Sequence, residues 1–178
     1  MQSIIASSLN DWGHYLALNL SPADVLCVIA AMALIRVCRY AGMWIYALIA
    51  LPGTLAHELA HFVVAGILGA RPQFPSLIPQ RTSRGWQLGS VAFRVGRVRA
   101  LPIATAPLLL APLALWWAAA LMHPAGPPLY LIHAWIVAAL LTASVPSRTD
   151  LKLALPALAV LGVLALIACA GWAIVQWH

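Results

Sequence analysis

Apolar residues run along this chain in long unbroken stretches, without the two-residue alternation of half-buried or barrel strands. Residues 41–70, 101–122 and 153–177 each reach the roughly 20 residues needed to cross a hydrocarbon core about 30 Å thick. In lipid a spanning segment must satisfy its backbone internally, so these runs read as helices. A shorter run, 24–40, is interrupted by Arg36 and Arg39, which share a helix face and can snorkel to an interface. The first 23 residues mix Ile4, Ile5, Leu9, Trp12 and Leu16 with polar positions and lack the basic start and cleavage site of a signal peptide. They are expected to form a retained interfacial helix.

Prolines and glycines mark the breaks in this pattern. Pro52 and Gly53 predict a kink inside one long helix over 41–70. The connection 71–100 is rich in Pro, Gly and Arg, and 87–95 alternates enough (Leu88, Ser90, Val91, Phe93, Val95) to predict a strand in a short hairpin at the membrane surface. The run 101–122 carries Pro102, Pro107 and Pro112, which implies bends, weakened hydrogen bonding and a capacity to move as a lateral gate. After a tight loop, 129–145 spans only about 26 Å at 1.5 Å per residue, so the turn 146–152 is expected to dip into the membrane. A last helix over 151–177 closes the chain, with Trp172 and Trp177 in an aromatic belt. The fold class expected is an all-α polytopic membrane protein of about four to five transmembrane helices with a membrane-associated β-hairpin, as one domain over 1–178.

Composition agrees: 63% of residues are hydrophobic and only 8% charged, which cannot furnish a water-soluble surface. The net charge of +6 does not point to nucleic acid, because six of the ten basic residues lie between Arg71 and Arg99. Basic loops of this kind set orientation against the cytoplasmic leaflet, with anionic lipid headgroups as partners. That rule puts 71–99 and the pair Arg148 and Lys152 in the cytoplasm, whereas Arg36 and Arg39 fall on the other side, against it. Cys27, Cys38 and Cys169 are scattered, without a CxxC pair, and read as packing residues.

The chemistry concentrates in one pentapeptide, HELAH. His57 and His61 stand four apart, so a helix projects both imidazoles from one face, where they can bind a single zinc ion. Glu58 beside them is placed as the general base for a water molecule. Glu58 is the only glutamate and there are six histidines, so chance placement gives this pattern on the order of one time in a thousand. Ionisable residues at the centre of a spanning helix also cost about 2.5 to 3.5 kcal/mol each on insertion scales, a cost that a bound metal offsets.

A catalytic zinc takes three protein ligands and leaves a position open. Of the other acids, Asp11 and Asp24 lie near the N-terminus, whereas Asp150 lies in the turn before the last helix and is the candidate third ligand. Its competing role is a helix cap with Ser147 or Thr149. His133, in the middle of 129–145, is the competing ligand, and His123 and His178 read as interfacial.

The stretch HELAHFVVAGILGARPQF resembles the first core helix of the site-2 protease family of intramembrane zinc metalloproteases. That family passes from HExxH to a small-residue helix end and a membrane-associated hairpin, and takes its third ligand from an Asp on a later helix. Pro146 followed by Asp150 is similar in order and spacing, with Thr149 and Leu151 where the family has Leu and Gly. The resemblance covers roughly 41–152 and implies a minimal core without PDZ or CBS domains. It implies zinc held by His57, His61 and Asp150, with Glu58 catalytic. The substrate would be a transmembrane protein cut in or near its spanning segment. The compact, Arg-biased chain with its loop charges suits a prokaryotic inner membrane. The alternative is a non-proteolytic membrane protein that binds metal or acts through helix interaction.

Overall fold

A computed structural model describes residues 2–82, 85–92 and 97–176. The chain is mostly helical. Helix α1 (Gln2–Asn19) meets α2 (Pro22–Ala41) at a break where the helices turn by 85°. Ser21 caps α2 by accepting from the Asp24 amide, Asp24 reciprocates to the Ser21 amide, and Pro22 fills the first turn, where no N–H is needed.

The expected single helix over 41–70 is instead two. Helix α3 (Met43–Ile49) and α4 (Leu51–Ile67) meet at Ala50 with a bend of 70°. Pro52 cannot donate to the Leu48 carbonyl and its ring would collide with that turn, so the helix stops and restarts with Pro52 in the new first turn. The indole of Trp135 donates to the Ile49 carbonyl at this break, 2.9 Å away. At its far end α4 closes with a Schellman turn: Ala70 donates to the Ala65 carbonyl and Gly69 to Gly66, with Gly69 at φ 67°.

The hairpin lies earlier than the alternation of 87–95 suggests. Strand β1 (Gln80–Thr82) pairs antiparallel with β2 (Gly85–Gln87), and beyond Gln87, among the described residues, only an isolated Ser76–Ser90 bridge and the Gln73 N–H to Ala92 carbonyl bond continue the pairing. Pro75 and Pro79 on the opposing arm have no N–H to contribute, and the step from Ser76 to Gln80 faces a shorter one from Gln87 to Ser90, so the ladder bulges there. Phe93, Arg94 and Val95 of the expected strand lie outside the described residues.

The proline-bearing run begins at Arg97 and changes pitch along its length. It passes through α5 (Arg97–Thr105), a 3₁₀ turn (Ala106–Leu109), α6 (Leu110–Trp117) and a π turn (Ala118–Met122). As one stretch, Arg99–Met122 is long and apolar enough to cross a membrane, and three bent helix pairs pass the same test when each is taken together. Helix α7 (Pro127–Ala143) has the 17 residues of the expected 129–145 but begins and ends two residues earlier. Helix α8 (Arg148–Gln176) starts three residues before the expected 151, so Asp150 falls in its first turn. Trp177 and His178 lie outside the described residues.

Helix α7 is the centre of the packing, with α2, α4 and α6 against it. Its buried residues Ala134, Ala138 and Ala139 meet Ala114 and Ala118, and such small side chains let helix backbones approach closely. One such approach is at Gly53, where a Cβ would overlap the Ala139 carbonyl. Gly53→Ala must push α4 from α7, and is expected to cost about 1 to 3 kcal/mol. Thermal unfolding in detergent measures it, and an unchanged midpoint would contradict the contact.

Candidate metal centre

Helix α4 presents His57 and His61 one turn apart, their rings edge-on with centroids separated by 4.8 Å. Each ring is aimed by a backbone carbonyl from a different helix. His57 Nδ1 donates to the Ala143 carbonyl at the end of α7, and His61 Nδ1 donates to the Ile103 carbonyl in α5, both at 2.7 Å. A carbonyl only accepts, so these bonds place a proton on Nδ1, and in the neutral imidazole each Nε2 then keeps its lone pair.

Those two Nε2 atoms lie 3.2 Å apart and face the Asp150 carboxylate. His57 Nε2 is 3.4 Å from Oδ2 and His61 Nε2 is 3.3 Å from Oδ1. With both imidazoles neutral, three acceptors this close, His61 being only 5% exposed, repel one another unless a metal ion or a proton lies among them. The edges of the triangle also match a tetrahedral zinc shell, in which ligands about 2.0 to 2.1 Å from the ion stand about 3.3 Å apart. Among the described residues this is the one group of three or more His, Cys, Asp or Glu side chains that converges on a possible ion.

Asp150 serves as cap and as candidate ligand together. Its Oδ2 accepts from the Ser147 amide at 2.7 Å while Ser147 Oγ accepts from the Asp150 amide, a reciprocal cap at the start of α8. The cap orients the carboxylate toward the histidines, so the two roles anticipated as rivals support each other. The turn 144–147 between α7 and α8 brings Asp150 within 3.4 Å of both imidazoles. His133 is engaged elsewhere: its Nδ1 accepts from the Trp117 indole at 3.1 Å.

Glu58 is 7% exposed and borders a cleft of about 910 Å³ whose walls include His57, Trp86, Gly89, Thr142 and Arg148. Gly89, in the arm that follows β2, packs directly on Glu58, so closely that a Cβ would lie 2.6 Å from Oε1. Nothing in the sequence pattern singles out Gly89. The carbonyls of Ile103 and Ala143 were equally hidden, since a backbone group carries no residue signature.

A second polar cluster was also missed. Asp24 is 3% exposed and accepts from Ser21 and, at 2.7 Å, from the Tyr130 hydroxyl, while His123 Nε2 lies 2.9 Å away. His123, read as interfacial, therefore ties the loop before α7 to the start of α2. Its three principal members come from separate parts of the chain with no spacing to connect them.

No family model, curated protein or solved structure matches this chain.

Proposed function

We propose that this chain is a multi-pass helical membrane protein of the site-2 protease type, a zinc metalloendopeptidase that hydrolyses a peptide bond in or near a transmembrane segment of a protein substrate. The observation that carries the reading is the convergence of His57 Nε2, His61 Nε2 and the Asp150 carboxylate at 3.2 to 3.4 Å. Membrane embedding is supported by the apolar stretch Arg99–Met122 and the three bent helix pairs. It is also supported by outward-facing side chains such as Leu26, Leu34, Leu48 and Ile67, at 62 to 79% exposure, which water would penalise and lipid would not.

Zinc held by His57, His61 and Asp150 would supply Lewis acidity, making a water nucleophilic near neutral pH and polarising the scissile carbonyl. Glu58, next in sequence to His57 and facing the same cleft, would serve as general base, its carboxylate accepting a proton from an attacking water and returning it to the leaving amine. The Nδ1 bonds to Ala143 and Ile103 hold the imidazoles in the tautomer that ligation requires. The arm Leu88–Val91 forms a wall of the cleft, and beside it an unwound substrate segment lies extended. Arg148 and Lys152 line the cleft, which supports a mouth on the cytoplasmic side.

The test uses the full chain in detergent and in proteoliposomes with transmembrane reporter peptides. About one zinc per chain is expected, with cleavage lost to a chelator and restored by zinc. A wild-type chain that takes up no zinc after add-back would overturn the proposal.

Gly89 gives a second check. Gly89→Ala places a methyl group against the Glu58 carboxylate, which is the end of a flexible side chain and yields before the fold does. Cleavage is expected to fall about 100-fold, the effect of a base misplaced by about 1 Å, with zinc content unchanged. A full-rate Gly89→Ala enzyme would remove Glu58 from the reaction as drawn.

A further inference from the structure

The prolines of the 97–122 stretch have a use beyond bending it, and we infer that Pro107 is the positioning residue for His61. This rests on the zinc reading above. In an α-helix the carbonyl of residue i accepts from the amide of residue i+4, so the ordinary partner of the Ile103 carbonyl is the amide of residue 107. Residue 107 is proline and has no N–H.

The unpartnered carbonyl lies where water cannot replace the missing donor. Ile103 is fully buried, Pro107 is among the most completely buried side chains, and the α-helix gives way to the 3₁₀ turn between them. A buried acceptor without a partner is strongly disfavoured, and His61 Nδ1 meets this one at 2.7 Å. The bond fixes the proton on Nδ1 and turns Nε2 toward His57 and Asp150. His57 obtains its acceptor differently, from Ala143, the last residue of α7, whose carbonyl a helix end leaves open. Both imidazoles are thus oriented by carbonyls that helix geometry releases, one at a helix terminus and one by a proline placed four residues on.

Any residue other than proline at 107 restores an amide that competes with His61 for the Ile103 carbonyl. Pro112 is the internal control: it lies on the same stretch, is exposed, and removes the partner of the Leu108 carbonyl, which touches neither histidine. The experiment measures zinc affinity of the full chain in detergent by competition with a chromophoric chelator, together with the visible spectrum of the Co²⁺-substituted protein. Pro107→Ala and Pro107→Val are both expected to bind zinc about 10- to 100-fold more weakly, the usual loss when a ligand's outer partner is removed, and to shift the Co²⁺ bands. Pro112→Ala is expected to match wild type.

Wild-type affinity in both Pro107 variants would overturn the inference. So would equal weakening by Pro112→Ala, which would trace the effect to helix stiffening. Recovery in Pro107→Val alone would trace it to lost volume and overturn it as well. Failure of the wild type to bind zinc is a separate outcome that removes the underlying reading.

Discussion

Glu58→Gln is expected to abolish peptide hydrolysis while leaving about one zinc per chain. The substitution keeps the size and shape of a side chain that is 7% exposed and packed under Gly89, so the fold and cleft should persist. The lost property is the ability to accept a proton, which general-base catalysis requires in the transition state and which is worth about 10² to 10⁴ in rate. Zinc should remain because the ligand atoms come from His57, His61 and Asp150, and Glu58 is outside that triangle. The check is paired: metal content by elemental analysis and cleavage of a transmembrane reporter on the same preparation. A variant that cleaves at wild-type rate would remove the protease mechanism, and a scaffold that works through helix contacts would scarcely register the change.

How far the sequence carried the reading depended on what kind of atom did the work. The face shared by His57 and His61 follows from helix period alone, and α4 presents both rings together. Asp150 could be singled out because the chain has only four acidic residues, and the structure brings it to both histidines. The break in 41–70 was legible from Pro52 and Gly53, but its form was not. A kink and a 70° corner begin from the same missing N–H, and the contacts of Trp135 and Gly53 with neighbouring helices accompany the corner. The hairpin was displaced because alternation over 87–95 says nothing about the partner arm, where Pro75 and Pro79 interrupt the ladder. Gly89, the carbonyls of Ile103 and Ala143, and the Asp24, His123 and Tyr130 cluster depend on long-range approach, which local pattern does not encode.

Asp150 offers the sharpest separation of ligand from structural residue, because one carboxylate caps α8 and faces two imidazoles. Asp150→Ala removes both functions, so zinc loss accompanied by lower stability would not distinguish them. Asp150→Asn does. Its amide oxygen can still accept from the Ser147 amide, and asparagine caps helices about as well as aspartate, so the start of α8 should hold. The negative charge that balances the ion and the anionic oxygen that binds it are gone, however, and an amide is a poor zinc ligand. Asp150→Asn is therefore expected to melt within about 0.5 kcal/mol of metal-free wild type while losing most of its zinc at micromolar concentration. His133→Ala, by contrast, removes the acceptor for Trp117 and a ring contact with it, and should retain about one zinc per chain. If Asp150→Asn kept wild-type zinc and His133→Ala lost it, Asp150 would be a cap alone, and the third ligand would have to reach the site through a rearrangement of α7.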